Sequence, residues 1–171
     1  MAAKRQTESE PVEDRTITGI TPAQRYPFAQ EYSRCTFTGC DLSGMKLTGI
    51  IFSECEFRAC NLAMTNISGS SFRSVTFTGC KLTGVRFGET DPLLFTASFT
   101  DCILDRASFH RLKIKKTVFI KCSMKECDLS QADCSGATFD LCDMERTVFD
   151  RTNLERADLR TAFHYRIDPD I

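Results

Sequence analysis

Cys35-Thr36-Phe37-Thr38-Gly39-Cys40-Asp41-Leu42-Ser43-Gly44-Met45-Lys46-Leu47-Thr48-Gly49 carries an apolar residue at every fifth position. The series runs without a miss through Phe37, Leu42, Leu47, Phe52, Phe57, Leu62, Ile67, Phe72, Phe77, Leu82 and Phe87. The phase then slips by two. It resumes as Leu94, Phe99, Leu104, Phe109, Ile114, Phe119, Met124, Leu129, Cys134, Phe139, Met144, Phe149, Leu154 and Leu159, which makes 25 in-phase positions and places 11 of the 14 Phe on them. A period of five fits neither a helix at 3.6 nor a strand at 2, so the pattern is not one amphipathic element. The residue two before each centre is small or medium, as at Cys35, Cys40, Cys55, Cys60, Val75, Ala107, Cys122 and Ala137. Two of every five residues therefore point inward and three outward. Gly39, Gly44, Gly49, Gly69, Gly79 and Gly84 close many early repeats and admit a turn with positive φ. Each pentapeptide reads as one short side followed by a corner.

Cys40-Asp41-Leu42-Ser43-Gly44, Cys60-Asn61-Leu62-Ala63-Met64 and Ala157-Asp158-Leu159-Arg160-Thr161 follow an Ala-(Asp/Asn)-Leu-X-X pattern. On these motifs the stretch from about residue 35 to 161 resembles the pentapeptide-repeat family. The resemblance implies an all-β fold, a right-handed quadrilateral β-helix with four pentapeptides per coil and about six coils. Such a coil demands a second period of 20, and the sequence has it: Phe37, Phe57 and Phe77 are so spaced, as are Leu42, Leu62 and Leu82, then Phe99, Phe119 and Phe139. If the two extra residues in 88–94 bulge at a corner, all six Phe form one ladder. Cys40, Cys60, Cys80, Cys102, Cys122 and Cys142 then stack in one column. Coils about 4.8 Å apart with parallel Cβ vectors do not suit a disulfide, which wants Cβ atoms about 3.8 Å apart and facing. The ten cysteines are expected to be free, buried fillers.

The 171-residue chain is long enough for one packed core, and its 42% hydrophobic content includes no run of about 18 apolar residues. A soluble protein is expected. The start, Met1-Ala2-Ala3-Lys4-Arg5-Gln6, lacks the apolar stretch of a secretory signal, which points to the cytoplasm. Residues 1–16 read as a polar disordered arm, 17–34 as an N-terminal cap, 35–161 as the β-helix with its bulge at 88–94, and 162–171 as a C-terminal cap or shortened extension. The resemblance implies a C-terminal segment that caps the rod and pairs two subunits. Here Phe163, Tyr165 and Ile167 offer a minimal cap at most, leaving monomer or homodimer open.

The net charge of -1 hides an uneven layout. His110-Arg111-Leu112-Lys113-Ile114-Lys115-Lys116 forms a basic waist, whereas residues 125–160 hold nine carboxylates against five cations. No aromatic residue is interleaved on outward positions of the waist, which argues against base stacking and direct nucleic-acid binding. No CxxC pair suggests a metal, no phosphate-cradling loop suggests a cofactor, and the only histidines, His110 and His164, have no nucleophile beside them in sequence. The reading is a non-catalytic protein without cofactor or metal that works through a protein partner. Some proteins of this resemblance bind DNA gyrase or topoisomerase IV as DNA mimics and confer quinolone resistance, so a type II topoisomerase is the partner it implies. The alternatives are a general scaffold with an unrelated partner, or weak nucleic-acid binding through residues 110–116. Candidate interaction residues are Glu89, Asp91, Pro92 and Leu93 of the bulge, Arg111, Lys113, Lys115 and Lys116 of the waist, and Asp140, Asp143 and Glu145 of the acidic third.

Overall fold

A computed structural model describes residues 10–23, 28–93 and 95–167. Eleven short strands appear in chain order: β1 (Val12–Glu13), β2 (Thr16–Thr18), β3 (Glu31–Ser33), β4 (Thr36–Thr38), β5 (Ile51–Ser53), β6 (Glu56–Arg58), β7 (Ser71–Arg73), β8 (Val75–Thr78), β9 (Ala97–Thr100), β10 (Val118–Ile120) and β11 (Thr138–Asp140). All pairings are parallel. They build a four-stranded sheet in the order β1-β3-β5-β7 and a seven-stranded sheet in the order β11-β10-β9-β8-β6-β4-β2. Single parallel bridges such as Asp41↔Asn61 and Lys46↔Asn66 form the remaining two sides. The result is a right-handed quadrilateral β-solenoid of about six turns. Partners lie 20 residues apart, except across the bulge, where Phe77 meets Phe99.

The registers place Phe37, Phe57, Phe77, Phe99, Phe119 and Phe139 in one ladder. Its rings stack at 4.7 to 5.2 Å, and each is fully buried. Leu42, Leu62 and Leu82 line the next side, also buried.

Repetition of the coil follows from how one pentapeptide spends its backbone donors. In the repeat around Leu62, Asn61 N–H donates to Cys40 O of the coil below at 2.9 Å. Leu62 N–H and Met64 N–H donate to Lys81 O and Thr83 O of the coil above at 2.7 and 2.9 Å, and Thr65 N–H closes the corner onto Leu62 O at 3.1 Å. One donor remains, Ala63 N–H. The Asn61 side chain accepts it at 3.1 Å, and Asp41, Asn66, Asp128, Asp133, Asn153 and Asp158 do the same in their repeats. An Asx turn thus explains the Asp or Asn before the centre: without it a main-chain donor in every such side would go unpaired.

The small inward position has a comparable logic. Cys60, Cys80, Cys102, Cys122 and Cys142 direct their thiols at the carbonyl of Phe37, Phe57, Phe77, Phe99 and Phe119 in the preceding coil, at 3.2 to 3.6 Å. Cys40 does so toward Ile17 O at 3.5 Å. Thr65 and Thr147 donate hydroxyls to Leu42 O and Met124 O at 2.8 Å, and Ser70 donates to Leu47 O. The site takes a small or medium side chain, Val75, Ala107 and Ala137 among them, and where it is Cys, Ser or Thr the side chain also donates, so cysteine is more than a filler here. All ten cysteines are free and buried, and burial pushes the Cys55 thiol up to about 11 and the Cys134 thiol up to about 12. Those two thiols stay protonated at neutral pH.

Three features of the structure go beyond the sequence reading. Among the described residues the solenoid begins at Val12, since Val12 pairs with Tyr32 and Ile17 with Phe37; Val12–Glu13 and Thr16–Thr18 are therefore strands of the first coil, inside what reads as arm and cap. Tyr32 is likewise a ladder residue, stacked on Phe52 at 5.6 Å, while residues 1–9 and Tyr26 lie outside the described residues. Left-handed corners are not reserved for glycine: Ala59, Met64, Arg106, Arg111, Lys116, Gln131, Arg151 and others adopt φ between 49° and 60°. The coil imposes this conformation, at a local cost of order 1 kcal/mol or more, because ladder bonds above and below fix both neighbours. At the C-terminus, Phe163, Tyr165 and Ile167 remain 43%, 37% and 44% exposed and do not close the end as an apolar cap; residues 168–171 lie outside the described residues.

Candidate interaction surface

The bulge is built more tightly than a projecting loop. Phe87–Glu89 forms one 3-10 turn, the only helical turn among the described residues. Glu89 O accepts from Gly69 N–H at 2.9 Å, and its carboxylate takes the Ser68 hydroxyl at 2.8 Å and Arg86 at 3.1 Å. Those hydrogen bonds hold Glu89 below the usual carboxylate range, Ser68 first. Asp91 continues the ladder, with its N–H on Ser70 O at 2.9 Å and its carboxylate taking Ser71 Oγ at 3.1 Å and Leu93 N–H at 3.0 Å. Pro92 and Leu93 stand out from the surface, Leu93 being 70% exposed. Leu94, expected as the next centre, lies outside the described residues. Phe95, one position off the five-residue phase, is buried against Phe72 at 6.2 Å and Phe87 at 6.0 Å.

The basic waist lies on the side that Ser71 and Asp91 occupy in preceding coils, because Ile114 precedes Phe119 by one side as Phe72 precedes Phe77. Lys113 and Lys115 flank the buried Ile114, with Arg111 and Lys116 on the two corners. Lys115 pairs with Asp133 at 3.1 Å, and Arg111 donates to Gln131 Oε1 at 3.0 Å. Arg111, Lys113 and Lys116 have no carboxylate partner among the described residues. His110 is engaged with Ser130 Oγ at 2.8 Å.

The acidic third is largely neutralised. Asp143 accepts Lys125 at 3.2 Å and His164 at 3.0 Å; Glu145 lies 4.0 Å from Lys125 and 3.9 Å from Arg146. Asp140, on the seven-stranded sheet, takes the Thr161 hydroxyl at 2.8 Å. Glu126 sits between Arg106 at 3.5 Å and Arg146 at 3.6 Å, forming a charge ladder up one corner. These partners were not legible from sequence one repeat at a time, but the spacing of 20 is the signal that finds them. The three candidate groups do not converge on one site. Among the described residues no cluster of His, Cys, Asp or Glu could hold a metal, and the depressions are open, such as one of about 610 Å3 beside Glu145, Arg146, His164 and Tyr165. No helix of the described residues is long and apolar enough to cross a membrane.

One carboxylate gives a sharp test. The Arg160 guanidinium, followed by the Arg160 N–H, holds Asp158 down to about 2. A depressed folded pKa stabilises the fold above the unfolded value near 3.9, and the contribution is lost as pH falls through about 2. Arg160→Met should raise the Asp158 carboxyl by about one unit in a carbon-detected NMR titration, since it removes both charge and side-chain donor. An unchanged titration would show that the backbone N–H alone sets it.

Residues 31–91 match the family described as a pentapeptide repeat region, and residues 96–131 and 127–163 match pentapeptide repeats. Comparison with curated proteins found no match. Among solved structures, HetL, a pentapeptide repeat protein involved in heterocyst differentiation regulation in the cyanobacterium Nostoc sp. strain PCC 7120, is 17% identical with a TM-score of 0.51, covering 89% of this chain and 86% of that one. A trypsin-treated QnrB1, a plasmid-mediated fluoroquinolone resistance protein, is 22% identical with a TM-score of 0.42, covering 94% and 84%. A pentapeptide repeat protein of the Arabidopsis thaliana thylakoid lumen is 19% identical with a TM-score of 0.28, covering 78% and 68%.

Proposed function

The chain belongs to the pentapeptide-repeat family, and from that premise we propose that it is a non-catalytic rod that acts in the cytoplasm by binding another protein, a type II topoisomerase. The observation that carries the non-catalytic reading is the closed packing of the solenoid. Every ladder side chain from Phe37 to Phe139 is buried, so the outer faces carry only side chains bathed in water or tied to the next coil. Among the described residues the depressions are open to water, which leaves a carboxylate or histidine in them solvated and untuned for proton transfer. Flat sides repeated along an axis suit recognition of an extended surface.

The excess of nine carboxylates over five cations in residues 125–160 supports the topoisomerase as partner, since an enzyme that grips DNA reads a line of fixed anions. A gyrase supercoiling assay tests it. Micromolar protein should inhibit supercoiling or raise the quinolone concentration needed for inhibition, and no effect on either would overturn the topoisomerase reading. The ion pairs at Asp143, Glu145 and Glu126 favour the second reading, a scaffold with an unrelated protein partner, because they spend much of that negative charge within the rod.

A further inference from the structure

We infer that the side of the rod bearing the waist is a docking site for an acidic, leucine-bearing polypeptide segment, contacted by Arg111, Lys113 and Lys116 with Leu93 as its apolar foothold. Most other cations of the C-terminal half are paired, Arg106 and Arg146 on Glu126, Lys125 on Asp143, Arg151 on Asp150, Arg156 on Glu155 and Arg160 on Asp158, with Lys121 and Arg166 the exceptions among the described residues. Against that background, three cations without carboxylate partners among the described residues stand in one coil within six residues. Arg111 and Lys116 occupy left-handed corners, with φ of 60° and 56°, and Lys113 lies between them on the flat side.

Its surroundings select the kind of anion. Along the rod axis the row is bordered by carboxylates, Asp91 in the bulge on one side and, already paired with Lys115, Asp133 in the next coil on the other. A nucleic-acid backbone running with the axis would bring its phosphates against them; one crossing the row would meet about three cations and no stacking ring. A short acidic segment lying across the coil meets the row alone. Leu93, 70% exposed and placed in the bulge that precedes Lys113 on this side, adds a contact that rewards an apolar side chain and offers nothing to phosphate. The inference rests on the protein-binding reading but uses a different surface from the acidic third, so peptide binding and gyrase inhibition fail separately.

Fluorescence anisotropy of the full chain with a fluorescein-labelled twelve-residue peptide, Glu-Glu-Leu-Glu three times over, tests it. The comparison probes are the same peptide with every Glu replaced by Gln and a 20-nucleotide single-stranded DNA. The acidic peptide should bind at least 10-fold more tightly than the Gln peptide and than the DNA, weakening as salt rises from 50 to 200 mM. Arg111→Glu, Lys113→Glu and Lys116→Glu combined should lower binding at least 10-fold, and Leu93→Ser about 3-fold. If the combined variant melts early, Lys113→Gln with Lys116→Gln should still lower it about 3-fold. Equal binding of the Gln peptide, tighter binding of DNA, or charge variants that bind like the unaltered chain would overturn the inference.

Discussion

Phe119→Ala should cost about 3–5 kcal/mol of unfolding free energy, read as a lowered denaturant midpoint. Phe119 is fully buried, stacked at 5.0 Å on both Phe99 and Phe139, and meets Phe109 edge-on at 5.8 Å. The cavity cannot collapse easily. Each coil is held at its spacing by ladder bonds at Phe99, Phe119 and Phe139, so the backbone has no freedom to close over the missing ring. Phe149→Ala should cost less. Phe149 is 8% exposed and lies in the last coils, where lost packing is shared with water. A loss under 1 kcal/mol for Phe119→Ala would mean that the ladder is not what holds the middle of the rod together.

The five-residue and twenty-residue periods made the ladders legible because burial acts on the same two positions of every side, and burial constrains residue type strongly. Outward positions carry no such constraint. That is why Arg111, Lys116 and Arg151 give no hint of their left-handed backbone: the corner fixes φ, while the side chain reaches into solvent and is free to vary. The start of the first coil was obscured for a related reason. Val12 and Ile17 keep the phase, but Glu10, Glu13, Asp14 and Arg15 around them read as disorder. In the structure Arg34 of the next coil clamps Glu13 and Asp14 at 2.9 and 2.8 Å, which turns that polar stretch into an ordered edge.

The candidate surface was less legible than the core. Charge counted along the chain separates a basic waist from an acidic third, yet pairing acts across coils, between residues about 20 apart. Lys115 belongs to the waist in sequence and to Asp133 in space. Asp143 reads as a free anion, but it accepts from Lys125 and His164 and, at 3.4 Å, from the N–H of Glu145. The thiols show the opposite case: Cys, Ser and Thr share one inward position with Ala and Val, so the sequence makes the small volume legible, while the hydrogen bonds of the thiols and hydroxyls to the preceding coil emerge only in the structure.

Gly88→Ala should be the most damaging small substitution in the bulge, at about 1–3 kcal/mol. A Cβ there would lie 2.5 Å from His110 O and 3.2 Å from His110 N, both main-chain atoms of the next coil. Neither can swing aside as a side chain would. Gly88 N–H donates to Ser108 O at 3.1 Å, and Glu89 O, one residue on, accepts from Gly69 N–H at 2.9 Å. The turn is therefore held between the coil below and the coil above. Relieving the clash must lengthen one of these bonds or tilt the turn that carries Asp91 and Leu93. Gly44→Ala is the informative comparison, because Gly44 has φ of 65° with nothing within 4 Å of its added Cβ, so only backbone strain of about 1 kcal/mol opposes it. Denaturant midpoints for the two variants should separate, with Gly88→Ala the less stable. If Gly88→Ala costs under 0.5 kcal/mol, the two extra residues are a slack loop, and the docking geometry inferred for Leu93 loses its fixed support.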